Sequence, residues 1–308
     1  MKIRTRCYPK TIMDILSFCF IFLIIPVMYW FELFVVLPTV YDPWSLWYTF
    51  HFLCGTTVMV NVTGNLVATI LCDTSLHGKD ETVTATEYLS LGWHMCKNCD
   101  IPAPPRSWHC DICGTCILKR EHHCPFTGCC IGHYNHRFYL MFILHLFIAT
   151  LYATVFNNTF IWKHFNWGVV AVMKVLFPLA MLVYGFDASP SSFYVFLYIV
   201  NVAGLFVSGG LLYIHGTILF RGIVTYEKRH KLLDYDFGVK QNVKELLGDK
   251  WFIVWIYPFA HSKLPRSGIE WQALTSCVEE KDKDSWCVWV HRTPREEALV
   301  RRFGAKST

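Results

Sequence analysis

The sequence predicts an α-helical integral membrane protein in which four transmembrane helices carry a small cysteine-rich domain between the second and the third. Three observations predict it. Apolar residues make up 54% of the chain against 17% charged, a balance reached by membrane proteins with polar ends. Four apolar runs approach or exceed the roughly 20 residues that a helix needs to cross a bilayer. Between the second and third lies Cys96–Cys130, dense in cysteine and histidine. The net charge of +5 is modest, and the basic residues sit near the ends of apolar runs. They read as orientation signals within a lipid bilayer, and no nucleic-acid partner is expected.

The first run, Ile12–Leu37, has Asp14 and Glu32 near its ends and Pro26 inside. Lys2, Arg4, Arg6 and Lys10 before it give the look of a signal peptide. The apolar stretch is too long for one, however, and no small-x-small cleavage site follows, so it is read as a retained span. After a Pro38–Pro43 turn comes the second run, Trp44–Leu71, with Trp44, Trp47 and Tyr48 suited to the membrane interface. His51, Asn61 and Asn65 make it polar for a span, and are expected to form hydrogen-bonded packing contacts between helices. The third span covers about Phe138–Phe160 and the fourth about Phe193–Phe220, where Gly204, Gly209 and Gly210 permit close helix approach.

Between those two, Gly168–Phe186 is apolar enough to span but carries Lys174 and Pro178. Charge decides its placement. The basic N-terminus and Arg221–Arg229 both belong in the cytoplasm by the positive-inside rule, which requires an even number of spans. Four spans follow, with Gly168–Phe186 re-entrant or lying on the far interface. The expected organisation is residues 1–71 for the N-terminus and two spans and 72–137 for the cysteine-rich domain (core 96–130). Residues 138–220 hold the last spans with a non-cytoplasmic loop 161–192, and 221–308 form a cytoplasmic tail. In that tail Tyr235–Gly248 reads as a turn and short helix, Trp251–Phe259 as a segment on the membrane surface, and the charged run from Glu279 as solvated chain. Every cysteine then lies in the cytoplasm or in a span, which excludes a disulfide framework.

The insert carries the chemistry. Cys96-x2-Cys99, His109-Cys110-x2-Cys113-x2-Cys116, His123 and Cys130 supply eight soft donors, enough for two four-ligand zinc sites. A purely structural zinc ribbon would need nothing more. Cys124, inside Glu121-His122-His123-Cys124, is then left over. A spare thiol beside a histidine suits nucleophilic catalysis, with His122 as candidate base and Glu121 as a candidate third member orienting its ring.

These residues resemble the DHHC-type protein S-acyltransferases, integral membrane enzymes that attach palmitate to protein cysteines. The spacing of Cys96 through Cys124, the following Gly132-x2-Asn135, Val224-Thr225-Tyr226-Glu227 after the last span, and Tyr235–Gly248 with Asn242 all match the family's pattern. The resemblance implies one structural zinc on Cys96, Cys99, His109 and Cys116 and a second on Cys110, Cys113, His123 and Cys130. It also implies Cys124 as nucleophile, His122 as base and Glu121 as orienting carboxylate. Acyl-CoA is the implied co-substrate, membrane-associated proteins with cytoplasmic cysteines the acceptors, and the endoplasmic reticulum or Golgi, or else the plasma membrane, the location. Three positions depart from the pattern: Glu121 for Asp, Phe126 for Trp and Val224 for Thr. The rival readings are a catalytically silent zinc-containing membrane scaffold and, from the polar second span alone, a transporter.

Overall fold

The computed structural model describes residues 3–5, 7–76, 93–164, 168–184, 190–230 and 235–271; the charged run from Glu279 lies outside them. Four helices are long and apolar enough to cross a membrane: α1 (Ile12–Val40), α2 (Leu46–Leu71), α3 (His136–His164) and α6 (Pro190–Arg221). Helix α1 opens with a capping box. The Asp14 N–H donates to Thr11 Oγ1 at 3.1 Å, and the Thr11 N–H donates back to Asp14 Oδ2 at 3.2 Å. Between Phe31 and Val36 its hydrogen bonding widens to a π-type turn around Glu32.

In Gly168–Phe186 the described residues form no single helix long enough to cross a bilayer. They form two short helices, α4 (Val169–Leu176) and α5 (Pro178–Val183), broken at Pro178. Eight residues rise only about 12 Å, far short of a hydrocarbon core of about 30 Å. Both helices pack against α6.

The polar residues of α2 differ from expectation. Asn61 Nδ2 donates to Thr57 O at 3.0 Å, Asn65 Nδ2 to Asn61 O at 2.9 Å and the Thr69 hydroxyl to Asn65 O at 2.8 Å. Within hydrocarbon the backbone carbonyl one turn back is the nearest acceptor, so these donors are satisfied inside their own helix, while Asn61 Oδ1 is buried without a partner. His51 does bridge helices, bonding Tyr152 Oη of α3. Of the three glycines in α6, Gly204 and Gly209 face α3, where an added Cβ would meet Thr150 at 3.3 Å and Phe147 at 3.2 Å; Gly210 meets nothing.

The cysteine-rich domain is three small antiparallel hairpins in series. They pair β1 (His94–Cys96) with β2 (Ile101–Ala103), β3 (Trp108–Cys110) with β4 (Thr115–Ile117), and β5 (His122–Cys124) with β6 (Cys129–Ile131). Each first strand ends in a cysteine, Cys96, Cys110 or Cys124, and each turn holds four residues. The last turn residue is left-handed in all three: Asp100 at φ 53°, Gly114 at 69° and Gly128 at 60°. Strands of three residues bury little apolar surface, so such hairpins need cross-links to persist.

Beyond α6 follow α7 (Thr225–His230) and α8 (Val239–Leu247). Leu246 and Leu247 of α8 pack with Leu140 and Met141 of α3 and Leu219 of α6. Asn242 ties this element to the end of α6, donating to Phe220 O at 2.9 Å and accepting from the Phe237 N–H at 3.0 Å. Trp251, Phe252, Ile256, Tyr257 and Phe259 are exposed, while Pro258 abuts Gly64 of α2. The N-terminal segment reaches the same end of the bundle, with the Arg4 N–H on Leu71 O at 2.8 Å and Lys10 Nζ on Cys113 O at 2.7 Å. The N-terminus, hairpins and post-α6 segment thus gather at one end, as an even number of spans requires.

Candidate active site and metal centres

Two donor clusters form from the hairpins. Cys96, Cys99, His109 and Cys116 make one, Cys110, Cys113, His123 and Cys130 the other, with the donor atoms of each within 4.8 Å of one another. Strand register brings them together: His109 lies opposite Cys116, and His123 opposite Cys130. Each cluster therefore combines the Cys-x2-Cys turn of one hairpin with the cross-strand His–Cys pair of the next. His109 Nδ1 stands 3.7 Å from Cys96 Sγ and 3.1 Å from Cys99 Sγ, and Cys116 Sγ is 3.9 Å from Cys99 Sγ. His123 Nδ1 stands 3.8, 3.4 and 3.8 Å from the sulfurs of Cys110, Cys113 and Cys130. Tetrahedral zinc would set such donors about 3.5 to 3.8 Å apart, so spacing and donor chemistry both fit a zinc ion.

The remaining ring nitrogens meet carboxylates. His123 Nε2 lies 3.3 Å from Asp14 Oδ1, and His109 Nε2 lies 3.5 Å from Asp111 Oδ1. Asp14, 1% exposed, thus caps α1 and orients a cluster histidine, as carboxylates behind metal-binding histidines do. Nothing in the sequence marks it for that role except a carboxylate at the start of a span.

The third hairpin holds Cys124 outside both clusters, 4% exposed and packed with Ile21, Tyr139 and Phe142. Cys129, directly across the hairpin, is also outside them; its Sγ points at Thr127 Oγ1, 3.4 Å away. Counting donors within residues 96–130 therefore leaves two cysteines, and Cys124 is the one that shares a strand with His122 and His123. His122, two residues earlier in β5, is on the same face of the strand. Burial, with His215, His123 and Arg120 adding to it, pulls His122 down to about 3. Burial also pushes the Cys124 thiol up. Burial thus disfavours the charged form of both groups.

Glu121 is 7% exposed. Its Oε2 accepts the Thr225 N–H at 2.8 Å and its Oε1 accepts the Thr225 hydroxyl. Burial raises its pKa while those two bonds oppose the rise. A Glu121 oxygen and one ring nitrogen each of His122 and His215 all lie within 4.8 Å of one another. His215, on α6, is a member of this site that the motif spacing does not reveal. Val224 gives its backbone N–H to Glu227 Oε2 at 2.8 Å and its carbonyl to the Lys228 N–H at 2.9 Å, and its side chain is fully buried. Glu227 is held by Arg106 through two bonds of 2.7 and 2.8 Å, and the guanidinium stacks on Tyr235 and Trp271. This buried latch fastens the hairpins to the segment after α6.

Behind Cys124 a cavity of about 400 Å³ runs between the spans, lined by Cys124, Phe126, Ile21, Val62, Phe142 and, farther along α1, Glu32. Its size lies within the range of small-molecule sites, and its wall is almost wholly apolar. Phe126 takes its place as part of that wall.

The family described as DHHC palmitoyltransferase matches residues 89–232. A mouse protein named probable palmitoyltransferase ZDHHC24 is 35% identical over 218 residues, 70% of this chain and 75% of its own. Its rat counterpart is 34% identical over 221 residues, 70% and 76% of the two chains. A protein of Arabidopsis thaliana named probable protein S-acyltransferase 13 is 30% identical over 185 residues, 58% of this chain and 57% of its own.

Proposed function

This chain belongs to the DHHC palmitoyltransferase family, and from that premise we propose that it moves a long-chain acyl group, palmitoyl, from acyl-CoA to protein cysteines through an acyl-enzyme on Cys124. The observation that carries the reading is the position of Cys124. It is a thiol outside both donor clusters, on the same strand face as His122, in the wall of an apolar cavity between membrane helices. A cavity of this kind suits an acyl chain, and explains why cysteine chemistry is built against a bilayer.

In the first half-reaction the Cys124 thiol gives its proton to His122 as its sulfur attacks the thioester carbonyl carbon. The carbon–sulfur bond to CoA breaks, the proton passes to the departing sulfur, and S-acyl Cys124 and free CoA result. In the second, an acceptor cysteine gives its proton to His122 and takes the acyl group, and Cys124 regains its thiol. Glu121, held by Thr225, stabilises the imidazolium that forms in each half. Cys96, Cys99, His109 and Cys116 would hold one zinc, and Cys110, Cys113, His123 and Cys130 the other. When bound, the metal supplies cross-links that hold the hairpins rigid.

Acceptors are membrane-associated proteins with cytoplasmic cysteines, met at the end of the bundle where the hairpins sit. The basic flanks support a cytoplasmic orientation in the endoplasmic reticulum or Golgi, or else the plasma membrane. Hydroxylamine-labile labelling of the purified protein by acyl-CoA, lost in Cys124→Ser, tests the chemistry and separates an enzyme from a silent scaffold. Protease access to N- and C-terminal tags in sealed vesicles with the cytosolic face outward tests the orientation; protection of either tag overturns it.

A further inference from the structure

We infer that His215 on α6 is a positioning residue for His122, a second imidazole that fixes the orientation and tautomer of the base. This rests on the reading of Cys124 as nucleophile and His122 as base. His215 is 4% exposed and its Nδ1 is a buried nitrogen without a hydrogen-bond partner. Such a nitrogen in the interior is costly unless it serves a purpose. Its ring centre stands 5.4 Å from that of His122, 5.1 Å from Tyr139 and 5.7 Å from His136. His136 is 1% exposed, with neither ring nitrogen bonded. Three histidines and a tyrosine from β5, α3 and α6 therefore converge beside the nucleophile.

A buried base needs a partner on its second nitrogen to hold one tautomer. Glu121, the residue expected to do this, has both oxygens engaged by Thr225. It remains within 4.8 Å of both rings, close enough to stabilise their charge. His215 is the neutral group that can accept the His122 N–H. Catalytic hydrogen bonds are often long before substrate binds, and a rotation of either ring shortens the gap. His215 has to remain neutral in this role, because a second imidazolium beside that of His122 would oppose the proton transfer it assists.

The test compares His215→Leu, His215→Gln and His215→Lys in the full-length protein in detergent. It reads the initial rate of Cys124 acylation across acyl-CoA concentrations, with bound zinc measured on each sample. His215→Leu should lower the limiting rate at least about tenfold with little change in the acyl-CoA concentration giving half that rate. His215→Gln, which keeps a neutral hydrogen-bonding group, should recover most of the rate, and His215→Lys should be slowest. All should hold two zinc ions. Equal rates for wild type and His215→Leu would overturn the inference, and so would equal damage in Leu and Gln, the mark of a packing role. Three zinc equivalents in wild type falling to two in His215→Leu would overturn it also, assigning Glu121, His122 and His215 to a metal instead. If wild type itself does not acylate Cys124, the underlying reading of the enzyme fails, an outcome distinct from all of these.

Discussion

The second and third hairpins share one plan and do opposite things with it. In each, a histidine precedes the last cysteine of the first strand and pairs across to another cysteine: His109 with Cys116, His123 with Cys130. Each turn closes on a left-handed glycine, Gly114 or Gly128. Cys96, Cys110 and Cys124 are structurally equivalent, yet the first two sit in donor clusters and the third does not. One difference lies in the turn itself. Where the first two turns carry Cys99 and Cys113, the third carries Thr127, whose hydroxyl donates to Cys124 O at 3.3 Å. A neutral hydroxyl is a poor zinc donor beside thiolate and imidazole, and no fourth hairpin follows to supply a His–Cys pair. Cys124, the proposed nucleophile, thus occupies the first-cysteine position of a turn that lacks the other donors of a metal site.

The sharpest way to break this comparison is to alter the two equivalent cysteines. Cys110→Ala should lose at least one zinc ion and fail to fold, since structural zinc contributes on the order of 10 kcal/mol to such domains. Cys124→Ser should keep two zinc ions and lose acylation altogether. Elemental analysis and labelling of the same samples decide it, and loss of zinc from Cys124→Ser would mean that Cys124 itself holds metal.

The next effect concerns the carboxylate beside the third hairpin. Glu121→Ala should slow acylation by about 100-fold, the scale of a misplaced catalytic group, whereas Glu121→Asp should match or exceed wild type. A rate for Glu121→Asp well below wild type would show that Thr225 and the surrounding loop are fitted to the longer side chain.

Smaller, and in zinc retention rather than rate, is the contrast between the carboxylates behind the two cluster histidines. Asp14 is buried at His123 and Asp111 exposed at His109. Asp14→Ala should weaken zinc retention at the second cluster by about tenfold, and Asp111→Ala should leave retention near wild type because solvent screens an exposed pair. Competition with a chromophoric chelator measures both. The smallest effect is expected from Thr127→Cys, which restores the paired thiol. Acylation should slow about threefold and become inhibitable by added zinc in a way that wild type is not; unchanged behaviour would mean that Thr127 is not what keeps Cys124 metal-free.

The sequence by itself determined the four spans and the eight candidate ligands, because hydrophobic length and donor spacing are properties of short stretches of chain; donor counting alone did not separate Cys124 from Cys129. It also marked Pro178 and Lys174 as obstacles to a fifth span, and the helix does break at Pro178. The pairing of ligands came only through the resemblance, since spacing alone allows several ways to divide eight donors between two ions. What the tertiary structure decided lies in contacts between distant residues. Glu121 meets Thr225 104 positions away and Arg106 meets Glu227 121 positions away, while Asp14 meets His123 across 109. His215 reaches His122 only because α6 packs along α3, bringing one turn of a membrane helix beside a hairpin. No local periodicity encodes such meetings. They follow from how the helices pack and where the hairpins dock, and the polar side chains that end up together are those that burial leaves needing a partner.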